Sequence, residues 1–427
     1  GIVVRNGLCY NREEAKWNAT KRRTPYDYKN FKCIAGDCRD TCCAGWDVDV
    51  DEKSYRFYRK VKGDFGKRLK SVMVPDSEGG CTFTLTEDNR CPFLNDSNLC
   101  DLYIALGEEH LCDTCDEFPR FINEYGSLRE VGLAPSCITA GEIMFADRQR
   151  MHFDEEEDGR PVDMYNDIDG FLYLQLNNAR NTAFDIIDME DFTTDEVCVI
   201  LLEYAKKIQW YMDRNMDNYI PRAIDRFKDS NYLKKLVEKK REEISRETER
   251  ICIDEFFNSF KGMEIINPDW LKYTGMEKHF EEKLMSDIEK NGHDNESFRE
   301  CDGIPDIEYN RKYAYCRREF DKYYGKQEFR YRQLLDYYVY RYFIDAVDDF
   351  NIVLKMKNAL VGYLVVKHLD MVVWDASGKL DYDEFVDIAH LYSRQFEHSY
   401  TNYERYSSFF MKKGCYSIKE LEQILMV

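Results

Sequence analysis

Eleven of the sixteen cysteines in this 427-residue chain lie within its first 137 residues. Eight of them form an array: Cys33, Cys38, Cys42, Cys43, Cys91, Cys100, Cys115 and Cys137. Thiolates are soft, anionic donors, and several closing on one centre hold zinc or an iron-sulfur cluster. The first group has the spacing C-x4-C-x3-C-C. In an extended segment successive side chains point to opposite sides, so Cys42 and Cys43 are not expected to serve one face. Eight thiols can supply two four-sulfur sites, or one site with the remainder structural. Spacing alone leaves zinc, iron-sulfur and disulfides open. The adjacent pair Cys42–Cys43 and the lack of an export-signal core after Gly1 favour metal in a reducing cytoplasm over bridges.

Other motifs set limits. The radical S-adenosylmethionine spacing C-x3-C-x2-C is not met, because Cys38 and Cys42 are followed by Gly45 at the third position. Cys112 and Cys115 make a C-x2-C pair without a matching upstream thiol. No G-x-G-x-x-G turn supports a Rossmann-like cofactor domain. Asp375, Ser377, Gly378, Leu380 and Glu384 imitate the end of a calcium loop, but Val373 stands where the leading carboxylate belongs, so a capped helix-to-helix turn is expected there.

The elements that must position the array read as follows. Residues 1–25 show no hydrophobic period and read as an arm. Trp46, Val48 and Val50 alternate with Asp47 and Asp49 as in a half-buried strand, and Asp51 then caps a helix over 53–70. The tetrapeptide Asn95-Asp96-Ser97-Asn98 is a turn that folds Cys91 and Cys100 back towards each other. Asp154 to Asp158, ending in Gly159, Arg160 and Pro161, reads as a boundary between a cysteine-rich metal or iron-sulfur domain over 26–152 and a helical domain over 162–427.

Beyond that boundary the spacing is helical. Thr193 and Glu196 have capping-box spacing, and Val197, Ile200, Leu201, Tyr204, Ile208 and Tyr211 form one apolar stripe. Further helices are expected over 232–260, 276–290, 308–324, 328–370, 382–397 and 418–425, with a loop over 291–305. The tyrosines and phenylalanines crowded between Tyr309 and Phe343 read chiefly as core packing; an aromatic cleft for a lysine amine is the second reading. The fold class is therefore mainly α: a small α+β cysteine-rich metal-binding domain followed by a larger all-helical one.

The chain carries 61 basic and 81 acidic side chains, a formal charge of −20, and most of the excess falls after residue 150. Such a field repels nucleic acid and acidic membranes and draws in a lysine-bearing protein. The most apolar run, Ala359 to Val366, is far short of a membrane span, which needs about 20 residues.

The strings FKCIAGDCRDTCCAGWDVDVDEKSY (Phe31 to Tyr55), CPFLNDSNLC (Cys91 to Cys100) and IALGEEHLCDTCDEFPR (Ile104 to Arg120), with Cys137, resemble the flagellin lysine N-methylase family. The likeness runs over Tyr26 to Ala140. YSRQFEHS (Tyr392 to Ser399) resembles a less distinctive motif of the same family, and 150–380 shares only helical texture. The resemblance implies methyl transfer from S-adenosylmethionine to lysines of flagellin in the cytoplasm. It also implies an iron-sulfur cluster, of the 4Fe-4S kind, on the eight cysteines above; Cys81 and Cys112 fall outside the shared pattern. A lysine amine must lose a proton before it attacks a methyl sulfonium, and Glu397 and His398 are the candidates for that role, against a plain helix-surface ion-pair set with Arg394. The rival reading is a non-enzymatic zinc- or iron-chelating protein whose helical part binds a partner; a single-electron redox carrier is a third.

Overall fold

The computed structural model describes residues 2–5, 8–11, 19–46, 48–77, 79–161, 168–245, 253–260, 262–291, 306–412 and 414–426. Among the described residues the architecture is mainly α, with three small sheets. The expected loop over 291–305 lies almost wholly outside the described residues.

The first departure from the sequence reading is at the arm and the boundary, which pair with each other. Ala19–Pro25 is an inner strand of a four-stranded sheet, parallel to Leu128–Leu133 and antiparallel to Phe153–Pro161, with Arg120–Tyr125 at the far edge. The register sets Lys21 opposite Glu157, Arg22 opposite Glu156 and Arg23 opposite Glu155. Arg23 pairs with Glu155 at 2.7 Å, Lys29 reaches Asp154 at 2.8 Å, and Arg22 pairs with Glu156. Each segment alone has no apolar face, which is why each looks unstructured in sequence; opposite charges across the ladder supply the complementarity. Glu130 of the sheet and Arg180 of the helix Gly170–Ile187 are both fully buried, paired at 2.5 Å, and Arg23 joins Glu130 at 2.9 Å.

The cysteine-rich segment has a core of its own. Val48–Val50, Met73–Pro75 and Cys81–Phe83 form a three-stranded sheet with Cys81–Phe83 in the centre. Val48 and Val50 face inward with Asp49 out, as the alternation requires. Asp51 accepts from the Ser54 amide at 2.8 Å and starts Glu52–Tyr58. The single helix expected over 53–70 is two, because the chain breaks before Gly63, whose φ of +77° suits glycine, and restarts as Gly63–Val72. Tyr58, Leu69, Phe83, Phe93 and Leu102 complete this small core.

The helical part is built around Ile352–Ser377, which is apolar nearly all round and buried along most of its length. The run Ala359 to Val366 therefore belongs to a core helix. Thr194–Met212, Phe329–Tyr342, Trp270–Asn291 and Tyr382–Glu397 pack against it. Thr193 and Glu196 make the expected capping box, and every member of the stripe that follows is buried. The helix expected over 328–370 is divided at Phe350, whose φ of +55° ends Ala346–Asp349. The expectation over 232–260 is met by Ser230–Ser245 and Ile253–Asn258, with 246–252 outside the described residues. Gly378 closes the long helix with φ +73°, while Asp375 pairs with Lys283 and Glu384 with Lys272 and Tyr273, so the calcium-loop imitation is a capped turn with its carboxylates engaged. Among the described residues no helix is long and apolar enough to cross a membrane.

Candidate functional site at the cysteine array

Local turns gather the thiols. Cys38 follows a short turn at Ala35–Asp37, and Cys42 and Cys43 occupy the next turn with their sulfurs 3.8 Å apart. The two therefore share a face, against the expectation of opposite sides, because a turn and not an extended strand carries them. The Cys43 carbonyl accepts from the Cys91 amide at 2.7 Å, and Gly45 donates to Asn89 at 2.8 Å, fastening the first cysteine loop to the second. Asn95 makes the expected turn: its side chain accepts from Ser97 and Leu99, and a bridge from Leu94 to Cys100 folds the segment back.

The electrostatics record how closely the sulfurs approach. Burial pushes the Cys91 thiol up to about 11, with neighbouring Cys100, Cys112 and Cys42 adding to it. Burial likewise raises Cys137 to about 12, assisted by Cys38 and Cys42. Cys38, next to Cys33 and Cys42, is raised by burial, and Cys100 by burial and Cys42. Cys112, outside the expected ligand set, shares a hydrogen bond with Cys115 that lowers its own pKa and raises its partner's. The C-x2-C spacing is the signal that pointed to it. All ten cysteines from Cys33 to Cys137 are free thiols.

Cys38, Cys91, Cys100 and Cys137 are held protonated by exclusion of water and by their thiol neighbours; a soft cation would reverse that balance and release protons. The donor set thus suits a thiophilic centre in kind. Among the described residues, no three His, Cys, Asp or Glu side chains close into a metal cage, so the array consists of contact pairs around a shared region.

The second motif meets the first in space. On Tyr382–Glu397, His390 and Arg394 are one turn apart, and both reach Asp40 of the cysteine loop, at 2.6 and 2.8 Å. The other nitrogen of His390 lies 3.0 Å from the Pro135 carbonyl. Arg394 also donates to the carbonyls of Thr41, at 2.8 Å, and Ala44, and lies over Trp46. Burial acts to raise the Asp40 carboxyl, but its bond to His390 and the charge of Arg394 win and hold it well below the usual carboxylate range. One turn further on, the His398 ring packs against Trp46 at 4.2 Å and Phe118 at 6.1 Å. Arg394 is 1% exposed, so the surface ion-pair alternative does not describe it.

The two candidates for proton handling are differently placed. Glu397 accepts from Tyr337 at 2.9 and 3.0 Å and from Tyr342 at 2.5 Å, bonds Ser393, and pairs with Arg341 at 3.1 Å. Its oxygens are taken. His398 has a buried Nε2 with no hydrogen-bond partner, and burial, reinforced by Arg341 and Arg394, pushes its pKa down to about 3, so its imidazole is uncharged at neutral pH. Spacing and resemblance assign no functional role to Asp40 or His390, and give Trp46 only a place in the strand pattern. Asp40 and Trp46 lie inside the first motif's string, and His390 is one turn ahead of Arg394; those positions are the available signal.

Residues 180–424, more than half of the sequence, match the FliB lysine N-methylase C-terminal domain. The chain belongs to the FliB lysine N-methylase family. The FliB match covers the helical part, where only YSRQFEHS had carried a resemblance, and its C-terminal region contains the helix that holds Asp40. Similar proteins include lysine-N-methylases of Salmonella choleraesuis, 27% identical over 132 residues, and of Salmonella typhimurium, 27% identical over 131 residues; each alignment covers 30% of this chain and 33% of the relative. The flagellar biosynthetic protein FliU of Salmonella muenchen is 24% identical over 133 residues, covering 30% of this chain and 79% of that protein. The chain thus spans about a third of the length of the curated lysine-N-methylases it matches. No solved structure matches.

Proposed function

We propose that this protein is a protein-lysine N-methyltransferase that uses S-adenosylmethionine and acts on flagellin in the cytoplasm. The observation that carries this reading is the clamp of His390 and Arg394 on Asp40, which joins the family-matched helical part to the cysteine array as one site. The likeness to lysine-N-methylases and to a flagellar biosynthetic protein supports the reaction and the substrate class.

Methyl transfer requires an amine nitrogen with a free lone pair. That pair bonds the sulfonium methyl, the carbon–sulfur bond breaks with its electrons leaving on sulfur, and the amine's proton goes to a carboxylate or water. Glu397, saturated by four partners, acts here as a positioning residue that fixes Tyr337 and Tyr342. His398 offers an uncharged acceptor beside the Trp46 and Phe118 rings, which pack on each other at 5.1 Å, a surface suited to an N–H donor beside a sulfonium, since aromatic faces attract organic cations.

An iron-sulfur cluster on Cys33, Cys38, Cys42, Cys43, Cys91, Cys100, Cys115 and Cys137 is the proposed occupant of the array, with zinc as the rival metal. Bound there, it would supply a centre that ties four segments of the chain together and can carry an electron. The test is incubation of anaerobically purified protein with flagellin and methyl-labelled S-adenosylmethionine, followed by mass spectrometry of the product. Label on flagellin lysines is the expected result. Absence of label on any lysine, from protein carrying its full metal, would return the reading to a chelating, partner-binding module.

A further inference from the structure

Away from the array, a narrow cleft of about 20 Å³ opens between the four-stranded sheet and Phe329–Tyr342. Its polar groups are unusual for a space so enclosed. Asp336 is 4% exposed and its Oδ1 has no hydrogen-bond partner; Gln333 is 5% exposed and its Oε1 has none either. Asp27, 7% exposed, supplies a second carboxyl to the same space. None of the lining residues is cationic. The cations nearest Asp336 are committed elsewhere: Arg332 donates to the carbonyls of Ile187, Met189 and Phe192, and Arg150 bonds Asp188. Burial pushes the Asp336 carboxyl well above its usual range, with Asp188 adding to the effect and Arg332 and Arg150 opposing it, and burial raises Asp27 as well. A buried unpaired carboxyl and an orphaned amide oxygen are costly in an apolar site, because each has given up water without gaining a partner.

What would satisfy them is a donor. The unmet groups are all acceptors, and an ammonium presents three N–H donors and no acceptor. Most of the remaining wall is aromatic or apolar, and Phe121, Leu133, Tyr340, Met144 and Met151 suit a methylene stem. A whole S-adenosylmethionine fits less well, because its carboxylate would find no cation here. A divalent metal would lack the six or more oxygens that calcium or magnesium takes. The cleft is also tied to the site already described, since Tyr337 forms one wall and donates to Glu397.

We propose that this cleft receives the ammonium end of the substrate lysine, held by Asp336, Asp27 and the Gln333 carbonyl, with Asp336 taking its proton. The inference rests on the lysine-methylation reading and gives it a substrate pocket. In the step assigned to Asp336, one N–H bond breaks, an O–H bond forms at Oδ1, and the electron pair stays on nitrogen, ready to attack. Low polarity favours this transfer, because a neutral acid and a neutral amine are cheaper to bury than two charges.

The test titrates the full-length protein with N-acetyl-lysine methylamide while the methionine methyl resonances are followed by NMR. Saturable shifts at Met144 and Met151 are expected, with none for the uncharged N-acetyl-norleucine methylamide. Asp336→Asn should weaken the amine at least tenfold and leave S-adenosylmethionine binding unchanged. If that variant fails to fold, Met151→Trp, which fills a half-buried part of the wall without altering charge, should abolish the shift at Met144. Unshifted methionines in the wild type, equal amine affinity in Asp336→Asn, or loss of S-adenosylmethionine in place of the amine would each overturn the proposal. Transfer to flagellin by a protein that binds no amine at these methionines removes the cleft and leaves the enzymatic reading standing; amine binding without transfer to any protein does the reverse.

Discussion

Asp40 accepts from His390 and Arg394 at once, across about 350 residues of chain, and holds its charge against partial burial. Its carboxyl lies below the value of an unfolded aspartate, so the pairing stabilises the fold at every pH above about 4 and is lost as pH falls below it. Asp40→Asn should therefore cost about 3 kcal/mol at pH 7, since it leaves a buried arginine poorly paired. Urea unfolding at pH 7 and pH 3 checks this: the gap between wild type and variant must narrow in acid, and an equal gap at both would refute it. His398 has the same sign of dependence, for a different reason: its ring is buried uncharged. Its folded pKa, about 3, lies below the unfolded value near 6.5, so the unfolded chain binds the extra proton and stability rises with pH between those limits, by at most about 1.4 kcal/mol per pH unit. His398→Gln should flatten that slope, and the imidazole resonance of the wild type should not titrate between pH 5.5 and 8. The thiols were legible because their spacing is local and their chemistry distinctive. Asp40, Asp336 and Asp27 were not, because a solitary acid becomes informative only when folding removes its water and its counter-ions.

Among the elements, the strand pair Ala19–Pro25 and Phe153–Pro161 shows where sequence patterning fails. Period-two alternation identifies a strand with one apolar face, and the charged stretches of these two show none. The helices with apolar stripes were legible almost to their ends, as at Thr194–Met212 and Tyr382–Glu397. The breaks before Gly63 and at Phe350 were not, because the residues on either side keep helical composition. The sheet's ion pairs also separate by burial. Arg22→Glu, at an exposed pair, should cost less than about 1 kcal/mol. Glu130→Gln should cost about 3 to 5 kcal/mol, because it strands the fully buried Arg180. Replacing both by methionine should recover most of that loss. Thermal unfolding of the three variants decides the matter, and equal losses for Arg22→Glu and Glu130→Gln would refute the burial argument.

At the scale of the whole molecule the described residues form two apolar cores of unequal size: a small one around Val48, Tyr58, Phe83 and Phe93, and a large one around Ile352–Ser377. The large core, with its all-round apolar central helix, needs no help. The small one is flanked by buried thiols that repel one another's charge, so any soft cation they hold stabilises the folded form and lets them ionise. Removing metal should therefore act on one core only. After anaerobic chelation, calorimetry should show the small unit melting first while the helical transition keeps its midpoint, and proteolysis should cut first between residues 31 and 119. Cys112→Ser adds a discriminating case. If Cys112 belongs to the centre through its contact with Cys115, the variant loses metal and shows the split transition without chelator. Full metal content in Cys112→Ser would confine the ligands to the original eight, and a single transition that drops as a unit on chelation would mean that the clamp at Asp40 couples the two cores more strongly than the array stabilises one.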